Sequence, residues 1–130
     1  MFDYDSIPDC PNPEEIMPAV SAFAAEKDKL LEEKGLSYTL EQLEKIAERE
    51  YYGDFSEEWI KDISGFLIEN LKNCEYDDLD LILTLSAQLD LETVWKYIKR
   101  KRKSFSDDIQ QLIKESYDEM NEYFNPKGVE

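Results

Sequence analysis

The sequence predicts an all-α protein of about six helices in antiparallel hairpins, as a compact bundle or a short HEAT-like stack. Three observations predict it. Apolar residues recur at spacings of three and four along most of the chain, the period of a helix face. Capping and stop signals separate these stretches by roughly two to six residues, the loop lengths of helical hairpins. The most apolar segment, residues 75–103 (EYDDLDLILTLSAQLDLETVWKYIKRKRK), has little β-branched content in DLILTL, Ile82 and Thr84 only, which disfavours a strand.

Each element has its own signals. Residues 1–12 carry Asp3, Asp5, Pro8, Asp9 and Pro11, the composition of an extended arm, with Phe2, Tyr4 and Ile7 free to tuck against the body. Asn12 is placed as N-cap and Pro13 at the first helical position, with Glu14 and Glu15 in the first turn, facing the positive end of the helix dipole. Pro18 is expected either to kink this helix at Met17 or to open the main helix after a separate turn. Ala19, Val20, Phe23, Ala24, Leu30 and Leu31 form the apolar face, and Gly35 stops it. Thr39 and Gln42 have the form of a capping box for the second helix, whose stripe is Leu40, Leu43, Ile46, Ala47 and Tyr51, ended by Gly53. The third helix opens at Ser56, with Phe55 and Ile60 in hydrophobic-staple positions. Its stripe is Trp59, Ile60, Ile63, Phe66, Leu67 and Leu71; Gly65 is expected to admit a neighbouring helix, and Asn73 to act as a left-handed cap.

A fourth helix over about 77–88 carries Leu79, Leu81, Ile82, Leu83, Leu85 and Leu89, too many for one stripe, so it is expected to be buried on two sides. Asp90 is read as the cap of a fifth helix over 91–102, with Val94, Trp95 and Ile98 inward. Ser106, Asp107 and Asp108 start the sixth, whose stripe is Ile109, Leu112, Ile113, Ser116, Tyr117, Met120, Tyr123 and Phe124, ended by Asn125 and Pro126. The domain plan is an extended arm over 1–12, a single helical domain over 13–125 and a tail over 126–130. With 42% apolar residues the chain has enough material for a core in spite of 35% charged ones.

Composition narrows the function. Acids outnumber bases 31 to 15, a net charge of −16 that repels a nucleic-acid backbone and steers the chain toward basic partners. There is no histidine, which removes the commonest general base and the commonest zinc ligand. Cys10 and Cys74 are too few for a cysteine-rich metal site or a disulfide scaffold. Glycines at 35, 53, 65 and 128 form no phosphate loop. Glu75, Asp77, Asp78 and Asp80 lack the spacing and glycine of a calcium loop, and are read as acids at a helix start, like Glu57 with Glu58 and Asp107 with Asp108. Ser64 and Ser86 lie on apolar faces and are expected to bond back to their own helices. The expectation is a non-enzymatic protein with no cofactor and no metal. The N-terminus lacks the charged start and apolar run of a signal peptide, and no run approaches the roughly 20 residues of a membrane span, so the expected location is cytoplasmic. Residues 99–103, KRKRK, hold with Lys96 six of the 15 bases. They are expected to offset neighbouring acidic helices rather than to contact nucleic acid.

The working surface is placed on the second and third helices. There Glu41, Glu44, Glu48, Glu50, Asp54, Glu57, Glu58, Asp62 and Glu69 are interleaved with Tyr51, Tyr52 and Phe55. Rings supply buried area at an interface, and carboxylates supply orientation and on-rate. The candidate partner-binding residues are Glu48, Tyr51, Tyr52, Asp54, Phe55, Glu57, Glu58 and Asp62, with Tyr51 and Phe55 equally placeable in the core. Through its YYGDFSEEW corner and YDDLDLILTLSAQLDLETVWKYI core, the chain resembles, over residues 39–124, bacterial immunity proteins of polymorphic or contact-dependent toxin systems. The resemblance implies a protein that binds one cognate toxin domain, commonly a basic nuclease, and occludes its active or substrate-binding surface. Residues 1–38 have no counterpart in it. The alternative is a phage- or host-encoded regulatory adaptor or nucleic-acid mimic that binds a DNA-binding or RNA-guided protein.

Overall fold

A computed structural model describes residues 1–49 and 55–124. Over these residues the protein is all-α, with helices α1 (Pro13–Lys34), α2 (Leu36–Arg49), α3 (Glu57–Asn70), α4 (Tyr76–Gln88), α5 (Glu92–Arg100) and α6 (Asp107–Phe124). The chain divides into two compact units, Met1–Ile63 and Ser64–Glu130, and α3 runs through the division. The stop signals expected at Gly53 and at Asn125 with Pro126, and the tail over 126–130, lie outside the described residues.

In the first unit the Asn12 cap forms as expected. The Asn12 side-chain oxygen accepts the Glu15 N–H at 2.8 Å, and the Glu15 carboxylate accepts the Asn12 N–H at 3.1 Å. The helix then runs through Pro18 without a second start. The absent proline N–H removes one bond, to the Glu14 carbonyl, and the flanking turns tolerate that loss. Gly35 ends α1 at φ 89° and ψ 171°, backbone that side chains other than hydrogen strongly resist. One residue thus turns the chain, and α2 begins at once at Leu36. The expected start at Thr39 is therefore wrong by a turn. Thr39 lies inside the helix, its hydroxyl donating to the Gly35 carbonyl at 2.8 Å, while the Gln42 amide donates to the Tyr38 carbonyl at 3.2 Å. Back-bonding inside a helix replaces the capping box.

α1 and α2 pack together and bury Phe23, Leu30, Leu40, Leu43 and Ile46. A 3-10 turn, Tyr4–Ser6, brings Tyr4 and Ile7 into this core. The Tyr4 ring meets Phe23 edge-on, and its hydroxyl donates to Glu26 at 3.2 Å. The same carboxylate accepts the Phe2 N–H at 3.1 Å, so the arm is fastened to the middle of α1. Burial first, and then the Glu26 charge, push the Tyr4 phenol well above its ordinary pKa and keep it a donor.

In the second unit α4 packs against α5 and α6. Leu79, Ile82, Leu83, Leu85 and Leu89 are all buried, the two-sided burial expected of it. Its start is closed by Asp78, whose carboxylate accepts the Glu75 N–H at 3.2 Å. Its end departs from expectation. Asp90 is not a cap for α5 but stands at φ 59°, the left-handed position of a Schellman turn. The Leu91 N–H reaches the Ser86 carbonyl at 2.8 Å and the Asp90 N–H that of Ala87 at 3.4 Å. Buried Leu91 then becomes the N-cap residue of α5. Asn73, expected in that left-handed role, instead closes a 3-10 turn, Leu71–Asn73. α5 also ends earlier than expected, at Arg100, and a 3-10 turn, Arg102–Ser104, leads into α6.

Trp95 is the anchor of this unit. Its indole N–H donates to the Asn121 side chain at 3.0 Å, and Tyr117 meets its ring edge-on. Ser86 bonds back to the Ile82 carbonyl at 2.7 Å as expected, whereas the buried Ser64 hydroxyl has no partner among the described residues.

Gly65 admits no neighbour. It is exposed, and an added Cβ would meet nothing within 4 Å among the described residues. Its absence of a side chain is then a pure loss of helix propensity, so Gly65→Ala is expected to raise stability by up to about 1 kcal/mol. Gly35→Ala, which strains the α1–α2 turn, is expected to lower it by about 1–3 kcal/mol. Urea unfolding followed by circular dichroism checks both; shifts of the same sign would contradict the two assignments.

Candidate functional site

The start of α3 is built from five consecutive side chains with separate tasks. The Ser56 hydroxyl accepts the Trp59 N–H at 3.1 Å and caps the helix, as the sequence indicates. Glu57 and Glu58 follow in the first turn, exposed, next to the positive end of the helix dipole. Phe55, expected in a hydrophobic staple with Ile60, stacks on Trp59, with centroids 4.5 Å apart and planes 17° from parallel. Phe55 is half-buried by this stack, while Trp59 is buried.

Two polar contacts fix that turn to α1. The Trp59 indole N–H donates to the Val20 carbonyl at 2.9 Å. One turn later, the Asp62 carboxylate accepts from the Lys27 ammonium at 3.0 Å. Only 9% of the Lys27 side chain is exposed against 47% for Asp62, so the lysine is the member that needs the pair. Lys27 also donates to the Ala24 carbonyl at 2.9 Å.

The predicted site residues fall into three groups. Glu48, Glu57 and Glu58 are exposed carboxylates. Phe55 and Asp62 make the ring stack and the ion pair just described. Tyr51, Tyr52 and Asp54 lie outside the described residues. Among the described residues no hydrogen bond or ion pair joins Glu48 to Glu57, Glu58 or Asp62. Glu48 acts instead on its own helix. Partial burial first, and then the charges of Glu48 and Glu41, raise the Glu44 carboxyl above its ordinary pKa. At the arm the opposite holds, because a 2.8 Å bond from Lys45 keeps exposed Asp5 below the usual carboxylate range.

Trp59 and Lys27 position the site; the sequence put Trp59 at the end of the corner, on the apolar stripe of the third helix, and did not assign Lys27 to it. A signal existed for Lys27, which stands four residues after Phe23 and three before Leu30, on the apolar stripe of α1. Cys10 is exposed and Cys74 half-buried, both with free thiols. Burial, aided by Asp78, pushes the Cys74 thiol up to about 12, so it stays protonated at neutral pH. Among the described residues no three histidine, cysteine or carboxylate side chains gather as metal ligands, and no helix is long and apolar enough to cross a membrane.

No protein-family model matches the chain, and comparison with curated proteins and with solved structures gives no match.

Asp62→Ala removes the carboxylate 3.0 Å from the buried Lys27 ammonium and is expected to lower stability by about 1–3 kcal/mol. Glu58→Ala is expected to change it by less than about 1 kcal/mol, as a helix-dipole contribution should. Chemical denaturation separates the two, and equal losses would remove the special role of Asp62. Glu44 offers a pH test. Its folded-state pKa is raised, so the folded state disfavours its charge at neutral pH and loses that penalty as pH falls through the raised value. Glu44→Gln is therefore expected to be more stable than the parent at pH 7, with the advantage vanishing in the acid range. A constant difference across pH would count against the repulsion.

Proposed function

We propose that this chain is a non-catalytic acidic binding protein that neutralises a cognate toxin, a basic nuclease-type domain in the cytoplasm, by covering its active or substrate-binding surface. The observation that carries the reading is the first turn of α3. Exposed Glu57 and Glu58 stand there beside Phe55 and Trp59, whose rings are stacked and whose indole is tied to α1. Carboxylates held on a fixed base lose little freedom on docking, and half-buried Phe55 offers apolar area beside them. The net charge of −16 speeds encounter with a basic surface. The toxin class rests on the resemblance to immunity proteins.

The tagged chain is expected to retain one stoichiometric basic protein from its host at low salt and to release it as salt rises. That protein should degrade nucleic acid, and an equimolar amount of the chain should stop it. Reversing Asp54, Glu57 and Glu58 to lysine is expected to slow association about tenfold or more while leaving the unfolding midpoint nearly unchanged. Retention of nothing at low salt, or of a DNA-binding or RNA-guided protein without nuclease activity, would overturn the reading. A collapse of stability in the triple variant would reassign these acids to capping.

A further inference from the structure

Residues 99–103 place five cations in succession in a chain with twice as many acids as bases. The expected offset by neighbouring carboxylates does not take the form of ion pairs: among the described residues, none of the five has a carboxylate within 4.0 Å. Their tasks differ. Lys99 lies 5.5 Å from the Trp95 ring centre and 5.9 Å from that of Tyr117, and donates to Asn121 at 3.0 Å. Arg100 lies over Tyr97, and one Arg102 nitrogen donates to the Lys99 carbonyl at 2.9 Å. The Lys101 and Lys103 side chains are exposed and have no bond or ring contact among the described residues. The dipole of α5 accounts for Lys99 and Arg100 in its last turn, but it fades within one turn and leaves the rest of the run without a reason.

Shape supplies one. Arg100, Lys101, Arg102, Lys103 and Ser104 line a depression of about 440 Å³. Arg102 also borders a second depression of about 450 Å³, whose wall includes Lys114 and one acid, Asp107. Both are open to solvent and lined mainly by polar and charged side chains, a setting for a small charged ligand and not for an apolar one. Guanidinium forks and lysine point charges are the groups that hold phosphate oxygens. Net charge decides the size of the anion. At about 0.1 M salt, charges beyond about 10 Å are largely screened, so for a compact anion in the turn the cations lining it and the neighbouring Asp107 count most. An extended strand would run across the remaining acidic surface and meet its repulsion.

We infer that the turn following α5 is a binding site for a compact polyphosphate anion, seated in the depression lined by Arg100, Lys101, Arg102 and Lys103. Calorimetric titration of the whole chain with inorganic tripolyphosphate at about 0.1 M salt tests it. Saturable one-to-one binding is expected. It should weaken at least tenfold in the Lys101→Ala/Lys103→Ala variant and in Arg102→Gln, and persist in Lys72→Ala, with helix content by circular dichroism unchanged throughout. Equal affinity for ATP and tripolyphosphate would assign the site to the phosphate chain alone, and tighter binding of ATP to a nucleotide; either outcome supports it. Absence of saturable binding, or an equal loss in Lys72→Ala, overturns it. So does capture of a short oligonucleotide that tripolyphosphate fails to displace, since the run would then serve nucleic acid.

Discussion

The first unit depends on the reach of the Trp59 indole to the Val20 carbonyl. A buried indole N–H needs an acceptor, and a carbonyl in mid-helix still has a lone pair to offer. That single requirement brings the start of α3 against α1. The Lys27–Asp62 pair then fixes its rotation, because a lysine on an apolar stripe is tolerated only where a carboxylate meets it. With Trp59, Ile63 and Phe66 turned inward at helical spacing, Glu57, Glu58 and Lys61 are left outside. The acidity of the surface is therefore a consequence of how an aromatic and a cation are satisfied beneath it.

The second unit solves a related problem with one acceptor. Asn121 receives both the Trp95 indole and the Lys99 ammonium. This splits the basic run by geometry, since Lys99 is drawn over two rings while Lys101 and Lys103 stay in solvent. A charge count treats the five residues alike, yet the fold gives them different neighbours. All five charges contribute to the local field of the turn, but only Arg100, Lys101, Arg102 and Lys103 line its depression.

Most of the fold was legible because apolar spacing is a local property. The six helices, the Asn12 and Ser56 caps, the Gly35 stop and the two-sided burial of α4 all follow from residues within a few positions of one another. The errors came where two local signals competed. Thr39 with Gln42 satisfied the pattern of a cap, but Gly35 turned the chain in one residue and left α2 no loop to start from. Asp90, not Asn73, takes the left-handed position, because either residue type accepts that backbone and the Leu91 N–H closes the turn on the Ser86 carbonyl only at Asp90. Exposure of Glu48, Glu57 and Glu58 was also legible. The partner of Asp62 was not, since Lys27 lies 35 residues away and only the packing of α3 on α1 joins them.

The division of the chain also bears on the order in which it is made. The bonds that close Met1–Ile63 need nothing beyond residue 62: the arm to Glu26, the one-residue turn at Gly35, Trp59 to α1 and Asp62 to Lys27. During synthesis from the N-terminus, the partners of all these bonds are made before α4, the most leucine-rich helix, leaves the ribosome. The leucines of α4 thus emerge after the residues that tie the arm, α1, α2 and the start of α3 together.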